Sequence, residues 1–112
     1  MTWSIIARDT DGRLGVAISS RFLAVGALCV HTRRAVGALA TQALLNPLYG
    51  PAGLALLADG VAPEEAIARL VEGDAGRAQR QVHLLPAAGV LDRAEIERRG
   101  EAFRAVHGLD PE

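Results

Sequence analysis

The run Ala35-Val36-Gly37-Ala38-Leu39-Ala40-Thr41-Gln42 constrains the fold of this chain more than any other stretch. It is short, follows the polar break Thr32-Arg33-Arg34, and carries apolar side chains at odd and even positions alike. A strand with one face in water alternates apolar and polar residues; this run reads as a strand buried on both faces. Two-sided burial in a mostly antiparallel sheet needs one layer above the strand and another below.

The preceding residues supply strands. From Trp3 to Asp9, Trp3, Ile5 and Ala7 alternate with Ser4, Ile6 and Arg8, the period of an extended chain. Asp9-Thr10-Asp11-Gly12-Arg13 is turn chemistry, with Gly12 free to take a positive φ. Leu14 to Ser20 alternates again, so the two runs form a hairpin, and Gly15, Ala17 and Ser19 leave one face of its second strand nearly bare. Arg21 to Ala27 fits no single element, and Leu28-Cys29-Val30-His31 reads as a short strand.

The following residues supply helices. Asn46-Pro47-Leu48-Tyr49-Gly50-Pro51 is a loop leading into a helix with Pro51 in its first turn, a Leu54, Leu57 and Ala58 stripe, and Gly60 at its end. A second helix starts at Pro63, places Glu64 and Glu65 where the helix dipole favours acids, and stops near Gly73. Gln81 to Leu85 returns as a strand. A final helix over residues 90–108 opens with a capping-box-like Asp92 and Glu95, and Ile96, Gly100, Phe103 and Val106 give it a narrow apolar face. The arginines interleaved with its glutamates read as a solvated, ion-paired surface. The 112 residues form a single α+β domain.

Composition narrows the function. A net charge of −1 implies no bulk attraction to nucleic acid or anionic membrane. Every basic side chain is Arg, which removes Lys as a catalytic base or Schiff-base former. A single Cys29 excludes an internal disulfide and fits a reducing cytoplasm, and no run approaches the length of a spanning helix. His31, His83 and His107 lie in no metal-ligand spacing, and no phosphate loop or dinucleotide fingerprint is present, so no cofactor or metal is expected.

One candidate nucleophile remains. Thr2 follows Met1 directly, and removal of Met1 would give it a free α-amine. Such an amine, with an ordinary pKa of about 7.7–8.0, can act as the base for its own hydroxyl. The hairpin brings Thr2 near Ser19, Ser20 and Arg21. An arginine of the Arg33-Arg34 break is expected to approach from the neighbouring strand, to depress the amine pKa or to hold a substrate carboxylate.

Thr2-x-Ser4-Ile5-x-Ala7-Arg8-Asp9, Gly15-Val16-Ala17 and Ser20-Arg21-Phe22-Leu23-Ala24-Val25-Gly26 together resemble the domain-of-unknown-function 1028 family. The resemblance continues through Val36-Gly37-Ala38-x-Ala40-Thr41-Gln42, Asn46-Pro47-x-Tyr49-Gly50 and Arg77-x-x-Arg80-Gln81-Val82, covering residues 2–85. It implies the αββα sandwich of N-terminal-nucleophile (Ntn) hydrolases, in a shortened form that lacks the second half of longer members. By that resemblance Thr2 is the nucleophile and Arg34 takes the place of a basic residue after the third strand. Ser20, Arg21, Thr41, Gln42 and Asn46 are then the substrate-facing groups. The implied function is hydrolysis of an amide in a small-molecule or peptide-like substrate. A shortened sandwich exposes an apolar sheet face, so a homo-oligomer that completes the layers is expected. The alternative is a non-catalytic oligomeric interaction module, a remnant of the Ntn fold.

Overall fold

In a computed structural model, which describes residues 1–87, the chain forms two antiparallel sheets and three helices. Strand β1 (Thr2–Arg8) and strand β2 (Leu14–Ser20) make the hairpin, with Gly12 in the turn at φ +82°. Helix α1 (Val25–Cys29) follows, then β3 (Val30–Arg33), β4 (Gly37–Ala43), α2 (Tyr49–Ala58), α3 (Pro63–Val71) and β5 (Arg80–Pro86). A 3-10 turn at Arg77–Gln79 leads into β5. The expected final helix lies outside the described residues.

The second sheet has the order β3-β4-β5, with β4 in the centre and buried from Gly37 to Gln42. The two-sided strand therefore has its two layers. On one side lie α2 and α3; on the other lies the inner face of the hairpin. Helix α2 reaches the sheet through its glycines: a Cβ on Gly50 would fall 2.2 Å from the His31 ring, and one on Gly53 2.5 Å from Leu39 Cδ1. No other residue fits so close an approach.

Alternation divides the hairpin cleanly. Thr2, Ser4, Ile6 and Arg8 are half-buried against the second sheet, while Trp3 and Ile5 are 71% and 63% exposed on the outer face. Across from them Gly15, Ala17 and Ser19 are exposed as well. Among the described residues there is thus a hairpin layer, a sheet layer and a helix layer.

One element differs from expectation. Leu28 and Cys29 belong to α1, and β3 begins only at Val30 and runs through Arg33. A short apolar run satisfies a strand or a buried helical turn equally well. Ala24, at φ 55°, turns the chain into the helix. Cys29 is 1% exposed, and burial pushes its thiol above its ordinary pKa of 9.0, which leaves it an inert space-filler.

Candidate functional site

The site grows out of strand register. Thr2 pairs with Ser20 across the open end of the hairpin, and their hydroxyl oxygens lie 2.9 Å apart. The Phe22 backbone N–H donates to Ser20 Oγ at 3.2 Å, which fixes that hydroxyl. Ser19 stands on the opposite, exposed face, as the pleat requires. Arg21 is exposed immediately after the strand.

Gln42, at the end of β4, ties the two sheets together. Its Nε2 donates to the Thr2 carbonyl at 3.1 Å and to Gln81 Oε1 at 2.9 Å, and its Oε1 accepts from Ser4 Oγ at 2.5 Å. The amide's orientation follows from these three bonds. Ser4 Oγ also lies 2.7 Å from His83 Nε2. Because Ser4 gives its one proton to Gln42, His83 must donate from Nε2, in the tautomer that leaves Nδ1 as the acceptor. Burial pushes the imidazole below its ordinary pKa of 6.5, so it is neutral at pH 7. His83 therefore orients Ser4 and does not activate it. The Ser4 and His83 pair is no nucleophile and base.

In the sequence His83 stands out only as a histidine without metal-ligand spacing, and nothing there marks Ser4 or Gln81 as its partners. Their meeting depends on register: His83 sits opposite Ala40, on the side of β5 that faces the hairpin. No spacing in the sequence encodes that.

Three expected site residues take no part in the network around Thr2. Thr41 is fully buried, and alternation turns it away from Gln42 toward the helix side shared with Leu39. Asn46 caps its own loop, its Oδ1 accepting from Leu48 N–H at 3.1 Å and its carbonyl accepting from Tyr49 N–H at 3.1 Å. Arg34 lies at the wrong end. It follows Arg33, which pairs with Gly37, whereas the network around Thr2 is held by Gln42. Five strand positions at about 3.4 Å each separate the two ends by roughly 17 Å.

A second, half-buried network sits beyond the end of β4. Tyr49 donates its hydroxyl to Asp74 Oδ2, and Arg80 grips the same carboxylate from Nε at 2.6 Å and from Nη2 at 3.1 Å. Gly76 N–H adds a bond at 2.9 Å, and Arg80 reaches the Leu44 carbonyl. Arg80 foremost, with Tyr49, holds the Asp74 carboxyl well below its ordinary pKa of 3.8. Tyr49, Asp74 and Arg80 bind one another and nearby backbone, which ties the ends of β4, α2 and β5 together. No group of three metal-ligating side chains and no helix long and apolar enough to cross a membrane occurs among the described residues.

Residues 2–101 match a family of unknown function (DUF1028). No curated protein matches the chain. Among solved structures, the crystal structure of a Silicibacter pomeroyi protein of the DUF1028 family is similar, with a TM-score of 0.74 and 33% identity over 79% of this chain. The chain spans 42% of that protein. The α+β arrangement with antiparallel sheets matches that structure.

Proposed function

Since the chain belongs to the DUF1028 family of unknown function, we propose that it is an amidohydrolase of the N-terminal-nucleophile type in which Thr2 attacks the substrate. The observation that carries this reading is the hold on Thr2 from both sides, by Ser20 at its hydroxyl and by Gln42 at its carbonyl. Removal of Met1 frees the α-amine, which takes the proton from Thr2 Oγ1 as that oxygen attacks the amide carbonyl. The carbon–nitrogen bond breaks, the proton passes to the departing amine, and an ester on Thr2 remains. Water then cleaves the ester and restores the hydroxyl. Arg21, the residue after Ser20, supplies the cation for a carboxylate on the substrate.

Intact-mass measurement tests the first condition: Met1 must be absent from the purified protein. A Thr-directed electrophile should then label the wild type once and leave Thr2→Ala unlabelled. Retained Met1, or labelling that persists in Thr2→Ala, overturns the proposal.

The exposed Trp3 and Ile5 favour a second reading, in which the chain is an oligomeric interaction module without catalysis. A second copy would lie on the outer hairpin face in either case, supplying the layer that the described residues leave out.

A further inference from the structure

The displaced arginines have surroundings of their own. The β1–β2 turn and the β3–β4 turn meet at the end of the molecule opposite Thr2 and enclose an open cleft of about 740 Å³. Arg13, Thr32, Arg33 and Arg34 line it together with the carboxylate of Asp11, which Arg13 neutralises, and Leu14 and Ala87 contribute apolar surface. The walls are tied together by the backbone. Val36 N–H closes the β3–β4 turn onto the Arg33 carbonyl at 3.0 Å, and Ala87 N–H bonds the Val36 carbonyl at 2.9 Å. Arg8 Nη1 donates to the Pro86 carbonyl at 2.6 Å, which anchors the hairpin against the same corner.

Charge at this end is unbalanced. Arg13 pairs with Asp9 at 2.8 Å and with Asp11 at 2.9 Å, so these acids already share one guanidinium. The Asp9 carboxyl is further held below its ordinary pKa by the Arg13 backbone N–H, and it stays an anion. Arg33 and Arg34 form no ion pair and no side-chain hydrogen bond among the described residues. Ala35 adopts φ 59°, a left-handed conformation that residues with a Cβ seldom take. Two successive arginines, at the end of β3 and the start of the turn after it, line a cleft with an apolar wall and suit a planar or tetrahedral oxyanion attached to a small organic body. The volume falls within the range of about 300–1,000 Å³ usual for small-molecule sites.

We propose that this cleft is a binding site for a small oxyanionic ligand, a carboxylate or phosphate held by Arg33 and Arg34. It is separate from Thr2, and it stands whether or not Thr2 is a nucleophile.

Titration of the full chain with inorganic phosphate and with succinate, followed by NMR of backbone amides and arginine side chains, tests it. The expected result is saturable shifts confined to the residues lining the cleft, largest at Arg33 and Arg34, weakening as sodium chloride rises. Tighter binding of succinate assigns a carboxylate ligand, and tighter binding of phosphate a phosphorylated one. The Arg33→Gln/Arg34→Gln variant should lose at least tenfold in affinity, the corresponding double Lys variant should lose less, and Arg77→Gln should bind as wild type. Both cleft arginines are exposed, Arg33 at the end of β3 and Arg34 in the turn after it, so circular dichroism should show the fold intact. Linear, unsaturable shifts, or equal binding by the double Gln variant, overturn the proposal.

Discussion

Gln42 donates from Nε2 to the Thr2 carbonyl at 3.1 Å, so the last buried residue of β4 holds the first residue of β1 in place. The same amide accepts from Ser4 and donates to Gln81. In Gln42→Leu these three groups lose their common partner in a half-buried interface. The expected cost is about 1–3 kcal/mol in denaturant unfolding. Labelling of Thr2 should slow at least tenfold with Met1 processing unchanged. An unaltered unfolding midpoint would show that the network contributes no stability.

Gly50 sets the height of α2 above the sheet. Gly50→Ala places a methyl 2.2 Å from the His31 ring, so ring or helix must move. The expected loss is about 1–3 kcal/mol, seen as a lower melting temperature. Adding His31→Ala opens the space, and the double variant should lose less than the sum of the single ones. Strict additivity would place the strain elsewhere.

Acid should weaken the fold in two stages. The folded-state pKa of His83 is depressed, so the unfolded chain takes up the proton first; this contribution is complete above pH 6.5 and falls as pH drops below it. The Asp74 carboxyl is also depressed, by Arg80 first, so its contribution is complete above pH 3.8 and declines below that. Urea unfolding across this range should show both declines. His83→Gln should remove the first and Asp74→Asn the second. A flat profile between pH 7 and pH 5 contradicts the His83 assignment.

Trp3 and Ile5 should govern self-association. Light scattering at micromolar concentration is expected to give a dimer or larger species for the wild type and a monomer for Trp3→Ser/Ile5→Ser. Both side chains face away from Gln42, so the double variant should keep its fold. A monomeric wild type removes the homo-oligomer.

The hairpin, the doubly buried strand and the consecutive helices were legible in the sequence, because each rests on a local period or on turn chemistry. Gly12 announced its turn, and Ala35 to Gln42 announced two covering layers. The pairing of Thr2 with Ser20 followed from the same local logic, since a hairpin's register is set by its own turn. What failed depended on direction and register between distant elements. Arg34 precedes β4, and adjacency in sequence suggested adjacency to the site; the strand carries the chain the length of the sheet before it reaches Thr2. Thr41 and Gln42 are neighbours in sequence, yet the pleat sends them into different layers. Ser4 and His83 meet only because β1 crosses β5.

Thr41 carries a wider consequence. Its hydroxyl is fully enclosed and has no hydrogen-bond partner among the described residues. Valine has nearly the same outline without the stranded oxygen, so Thr41→Val should raise stability by about 1 kcal/mol. That makes the position a ready source of thermodynamic headroom. Disruptive changes at Gln42 or Gly50 could be introduced on that background, with defects in chemistry read apart from simple loss of folded protein.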